Sequence, residues 1–200
     1  MTDTDGLGTE GTALAEEPED TFLDEMFGAL ERLPAPEGHH IEIVEGTVCV
    51  TPKSPDHWRI IRTVLWQLVD RFGKEAHIDS DVRMDFPGYR NGFCPDLVKV
   101  TDGARPDARD QYAPKDVELV VEVISEGTRS NDYGPKKRTY AAAGVPVLLI
   151  IDPYTGRCHA HTSPQGGTYR SELIVEFGEP VDLTRTPLGL TIHTHKFPRD

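Results

Sequence analysis

Apolar positions along the 200 residues follow two periods. Between His57 and Phe72, the residues Ile60, Ile61, Val64, Leu65, Leu68, Val69 and Phe72 share one helical face. That spacing predicts an amphipathic helix, with Gly73 placed to cap it. Phe22, Met26, Phe27, Leu30 and Leu33 keep the same period and predict a shorter helix over 21–32, ended by Pro34 and Pro36. Elsewhere the period shortens. IEIVEGTVCV (41–50) reads as a hairpin turning at Glu45-Gly46. Residues 77–84 read as a strand, GYRNG (88–92) as a turn and CPDLVKV (94–100) as a strand opening at a proline. Residues 101–115, rich in Asp, Arg and Pro, read as a loop.

Two runs, VELVVEVI (117–124) and VPVLLIID (145–152), are almost wholly apolar, as strands covered on both faces are. A short helix, Asp132 to Ala143, is predicted between them and stops at Gly144. Strand, helix and strand make a βαβ unit with a parallel pair. Further short strands near 157–162, 168–176 and 189–194 complete an α/β class with a mixed central sheet flanked by helices.

The acids inside 117–124 break the pattern. Alternation turns Val117, Leu119, Val121 and Val123 to one face and Glu118, Val120, Glu122 and Ile124 to the other. Glu118 stands near the strand's start, within reach of water. Glu122 stands near its carboxyl end, where α/β sheets place ligand sites. A charge there must be paired or bound to a metal. Asp96, behind Pro95, can converge on it if the two strands are neighbours. Two close carboxylates need a cation or a proton between them, and oxygen ligands alone favour Mg²⁺ or Mn²⁺. Lys136 and Lys137, on the following helix, could then orient an attacking water. From the acids alone, a structural ion pair of Glu122 with Lys136 is the favoured account, with Asp96 a turn residue.

Charge changes little in this picture. The net charge is -13, but residues 1–45 carry 13 Asp/Glu against one Arg. The remaining residues carry 21 against 20, so the body is nearly neutral. Residues 1–20 are expected to be a disordered acidic tail, and 21–200 one domain. The body gives no electrostatic footprint for nucleic acid. No signal sequence and no membrane span are expected: the longest nearly apolar run, Ala141 to Ile151, is broken by Gly144 and Pro146. Three separated cysteines without a CxxC pair suit a reducing, cytoplasmic setting.

The order of the motifs adds what the single residues do not. IEIVEG with Pro52 to His57 behind it, PDLV (95–98), VVEVIS (120–125), Asp132-x-x-x-Lys136-x-x-x-Tyr140, AGV (143–145) and IIDP (150–153) together resemble the Uma-two family of "putative restriction endonucleases", within the PD-(D/E)XK nuclease superfamily. The resemblance spans about 40–155. It implies a restriction-endonuclease-like fold and metal-dependent hydrolysis of DNA. Asp96 and Glu122 would be the metal-binding acids, with Mg²⁺ or Mn²⁺ as cofactor. The superfamily's lysine should stand at 124, where this chain has Ile124; Lys136 matches the family's displaced lysine, and Lys137, about 100° further round the helix, is the second choice. Glu42 matches an upstream acid that could hold the metal or the water. His57 matches a family histidine, and Ser125, Arg129 and Lys137 are candidates to touch substrate. A homodimer is expected by analogy alone.

The departures are local. Gly134-Pro135 precede Lys136, which suggests a helix starting at Asp132 as N-cap. Tyr140 reads as packing. Cys158, His159 and His161 lie on an expected edge strand, and solvated histidines are a commoner outcome than a zinc site there, even with His193 and His195 as further ligands. The other functional class left open is a nuclease fold retained as a binding or assembly module without turnover.

Overall fold

The computed structural model describes residues 19–32, 39–88 and 90–199. Of the expected disordered tail, 1–20, residues 1–18 lie outside these, as do the prolines at 34 and 36, while Glu19 and Asp20 are not tail but the first residues of a helix. The elements in order are α1 (Glu19–Glu31), β1 (His39–Val44), β2 (Thr47–Pro52), α2 (Pro55–Phe72), β3 (Ile78–Asp79), β4 (Met84–Phe86), β5 (Asn91–Phe93), β6 (Leu97–Val100), β7 (Val117–Val123), α3 (Arg129–Asn131), α4 (Lys137–Ala142), β8 (Val147–Asp152), β9 (Arg157–Gln165), β10 (Thr168–Glu176), β11 (Val181–Leu183) and β12 (Leu190–Ile192). Residues 132–136 join α3 to α4 in a wide π-type turn.

The central sheet runs β10-β9-β8-β7-β6-β3. β7 and β8 are parallel, with Glu122 opposite Ile150, as the βαβ reading expects. β6 is antiparallel to β7, with Leu97 opposite Val121. That direction carries the start of β6 to the carboxyl end of β7, so Asp96 arrives beside Glu122. A second sheet, β2-β1-β5-β4, holds the expected hairpin.

Each face of the central sheet has its own core. α2 lays Ile60, Ile61, Val64 and Leu68 on Leu119, Val121 and Val123. Ser54 caps this helix through the His57 N–H at 3.1 Å, and Gly73, at φ 93, closes it with an N–H bond to Val69 at 2.8 Å. On the other face Val120, Ile124 and Tyr140 meet Phe86 and Phe93 of the second sheet. Val117 joins this second core instead of following the simple alternation, because the β6–β7 register shifts between Lys99 and Val100. Glu118 is satisfied by buried Lys99 at 2.5 Å.

Other local expectations are corrected. Residues 77–84 do not form one strand: Asp81 takes φ 60, left-handed backbone that ends the pairing, and Met84 onward joins the second sheet. GYRNG is less than a full turn, since Asn91 and Gly92 open β5. β9 is interior because β10 covers it. Among the described residues no helix is long and apolar enough to cross a membrane.

α1 docks on the second sheet through Phe27. A Cβ on Gly92 would stand 2.5 Å from Phe27 Cε2, so the helix needs glycine there. Gly92→Ala should therefore cost about 1–3 kcal/mol in urea unfolding. Combined with Phe27→Ala it should cost less than the two changes added together.

Candidate active site

Four acids and a lysine from four segments meet at the carboxyl end of β7. Glu42 comes from the middle of β1, Asp96 from the entry to β6, Glu122 from β7, and Asp132 and Lys136 from the π-type turn. All five are 5% exposed or less. Lys136 Nζ lies 2.8 Å from Glu42 Oε1, 2.9 Å from Glu122 Oε1 and 3.0 Å from Asp132 Oδ1. Gly134, at φ -112 and ψ -106, leaves helical geometry, and Pro135 has no N–H to give. The widened turn aims the lysine inward. Asp132 is thus no N-cap; the helix starts at Arg129, and Asp132 faces the lysine one turn on.

The remaining partners fix each acid. The Cys94 N–H donates to Glu42 at 3.2 Å. The Tyr140 hydroxyl donates to Glu122 Oε1 at 2.5 Å, so this ring both packs and bonds. Asp96 Oδ2 accepts the Val123 N–H at 2.8 Å, and Oδ1 faces His57 Nε2 at 2.9 Å and Lys53 Nζ at 3.3 Å. The other His57 nitrogen stands 3.3 Å from Ser125 Oγ. Asp81 gathers two cations at the rim, Lys53 at 2.5 Å and His40 at 2.7 Å, and His40 reaches Glu42 at 3.5 Å.

Three carboxylates thus crowd one ammonium. Burial pushes Glu122 up to about 8, and Lys136 offsets this only in part, with Asp132 and Glu42 adding to the rise. Burial likewise brings Asp132 to about 6. Glu42 goes the other way: Lys136 and His40 outweigh burial and hold it at about 2. Asp96 is held well below the usual carboxylate range, where His57, Lys53 and the Val123 N–H overcome burial. Burial lowers the Lys136 pKa, but its three acids raise it well above the ordinary value, so the group is an ammonium, not a base.

The cavity between these groups is small, ≈ 20 Å³, and Glu42, Lys53, His57, Asp96, Glu122, Val123, Ser125 and Lys136 line it. It admits about one water or one small cation. No cluster of three or more His, Cys, Asp or Glu among the described residues stands arranged as a metal cage. The donor set still fits Mg²⁺, which binds through one or two carboxylates and takes its other oxygens from water and phosphate. Asp96 is the one of the four acids with no ion pair to Lys136, and it faces the same cavity as Glu122.

Sequence reasoning placed Asp96, Glu122, Glu42, Lys136, His57 and Ser125, and the structure brings all six to this cavity. It does not bring the other two. Arg129 is paired with Asp152, and Lys137 lines a separate groove with His161 and Glu172. His40, Lys53 and Asp132 line the cavity but were not read as members. Two of them had a signal: His40 shares a strand face with Glu42 two residues on, and Asp132 stands one helical turn before Lys136. His161 is not the solvated histidine expected. It is buried, its Nε2 has no hydrogen-bond partner, and burial lowers it to about 4.

The chain matches the family model Uma2, described as "Putative restriction endonuclease", over residues 27–195. Among solved structures it resembles a putative nuclease belonging to DUF820 from Anabaena variabilis ATCC 29413. The TM-score is 0.66 at 16% identity, over 88% of this chain and 96% of that one. At this identity the likeness is one of fold. No curated protein matches the sequence.

The Glu122 shift has a stability consequence. Its pKa rises from 4.5 to about 8 on folding, so the folded state binds the extra proton. Its contribution is full below the unfolded value and is lost as pH climbs through about 8. In metal-free buffer Glu122→Gln should flatten the fall in stability between pH 5 and 8. It should also be the more stable form at pH 8, by more than about 1 kcal/mol in urea unfolding.

Proposed function

The chain belongs to the Uma2 family of "putative restriction endonucleases", and from that premise we propose that it hydrolyses DNA phosphodiester bonds at the Asp96–Glu122–Lys136 cleft. One observation carries the reading. Two acids 26 positions apart converge on a single cavity, with a buried lysine 2.9 Å from one of them. Burying that much charge without function is costly.

Asp96 and Glu122 are the residues to hold Mg²⁺ or Mn²⁺. The ion supplies positive charge to the phosphoryl oxygens and makes water a better nucleophile. The protein's own groups do the rest. Lys136 keeps its charge throughout and faces the charge that develops on phosphate. Glu42 and Asp132 hold that ammonium in place. Lys53 and His40, at the rim, meet a phosphate entering from solvent. His57 holds Asp96 in one rotamer, and Ser125 orients His57 through the ring's other nitrogen.

A second reading has its own support. Lys136 contacts three of the acids at once, so the cluster carries its own counter-ion without metal or substrate, which suits a nuclease fold kept for binding or assembly. Cleavage separates the two. With Mg²⁺, the wild type should cut supercoiled plasmid or single-stranded DNA, and chelation should stop it. Asp96→Asn, Glu122→Gln and Lys136→Met should each lose at least about 100-fold in rate. Lys137→Ala should stay near wild type. DNA binding with no cutting under any metal would select the binding module.

A further inference from the structure

The outward side of α2 carries a feature that the cleft does not use. With His57, Ile60, Ile61, Val64 and Leu68 buried, Trp58, Arg62 and Trp66 fall four residues apart on one exposed stripe. The indoles are 50% and 61% exposed, a poor use of tryptophan unless something covers it. The Arg62 guanidinium lies 5.2 Å from the Trp66 ring centroid. Beside Trp66 runs a groove of ≈ 410 Å³ whose far wall is the segment 193–196. That wall is fixed to the helix: the Gln67 amide donates to the His193 carbonyl at 3.0 Å and accepts its N–H at 2.7 Å. Arg59, Arg62 and Lys196 line the groove against one acid, Asp70. Arg59 is also paired to Asp56 at 2.5 Å. The stripe begins one position after His57, the residue whose ring holds Asp96.

We propose that this face of α2 binds an unpaired stretch of nucleic acid. Bases stack on Trp66 and Trp58, phosphates lie along Arg59, Arg62 and Lys196, and the strand runs toward Asp96 and Glu122. The destination of the strand rests on the nuclease reading; the binding does not. Aromatic faces alternating with cations suit single strands, whose bases are free to stack. A duplex keeps its bases stacked on one another and offers the groove its phosphates alone. The local excess of cations complements a polyanion even though the whole chain is acidic.

The chain's two tryptophans both lie on this stripe, so intrinsic fluorescence reads the face directly. The full chain carrying Glu122→Gln is titrated with oligo-thymidylate in EDTA, where no strand is consumed. Expected is saturable quenching that weakens with salt. Trp66→Ala should lower affinity about fivefold or more. Arg62→Ala should lower it and flatten the salt dependence. A blunt duplex of equal length should bind more weakly. Absence of quenching, equal affinity for the duplex, or wild-type affinity in a folded Trp66→Ala chain would each overturn the proposal. So would emission that shifts with protein concentration without DNA, which would make the face an interface between copies. Wild-type cleavage without quenching sinks this inference alone; quenching without cleavage under any metal sinks the nuclease reading alone.

Discussion

Lys136 ties the structure together around its ammonium. Three carboxylates from the second sheet, the central sheet and the turn before α4 would repel one another if left alone in a dry interior. The ammonium lets all three be buried, and in doing so fixes how β1, β7 and α4 sit relative to one another. Desolvation rivals attraction in such clusters, so the net gain from forming them is small. Losing Lys136 is costly, because three buried acids would be left without their shared counter-ion. Tyr140 adds a neutral donor to the acid with the least compensation, Glu122.

Much of this was legible in the sequence, and for a physical reason. A carboxylate inside a continuous apolar strand is expensive, so Glu122 announced that something must answer it. The parallel pair, the long amphipathic α2 with its glycine cap, and the Glu45-Gly46 hairpin all followed from periodicity and turn chemistry. What resisted reading were the places where backbone departs from its period. Gly134-Pro135 looked like a helix start and hid Asp132's partnership with Lys136. Asp81, in left-handed backbone, cut one expected strand into two belonging to different sheets. His40 and Lys53 gained their places through the exposed Asp81, a contact that no local spacing encodes.

The two faces of the central sheet divide the labour. One face packs the apolar stripe of α2, Ile60, Ile61, Val64 and Leu68, which leaves the outer stripe of the helix exposed. The other face buries the charged cluster against the second sheet. Asp96 links them: it accepts the Val123 N–H from one strand and faces His57 from α2, so one carboxylate joins the helix to the site.

Lys136 reaches Glu122 across space from a following helix, and position 124, two residues beyond the acid, holds a fully buried isoleucine. Core and cluster are thereby released from sharing a strand. Ile124 can change with its apolar neighbours, and the lysine with the turn that carries it, without one substitution forcing the other. A search for acid and lysine as near neighbours in sequence would pass over this constellation, whereas a search on three-dimensional arrangement would not.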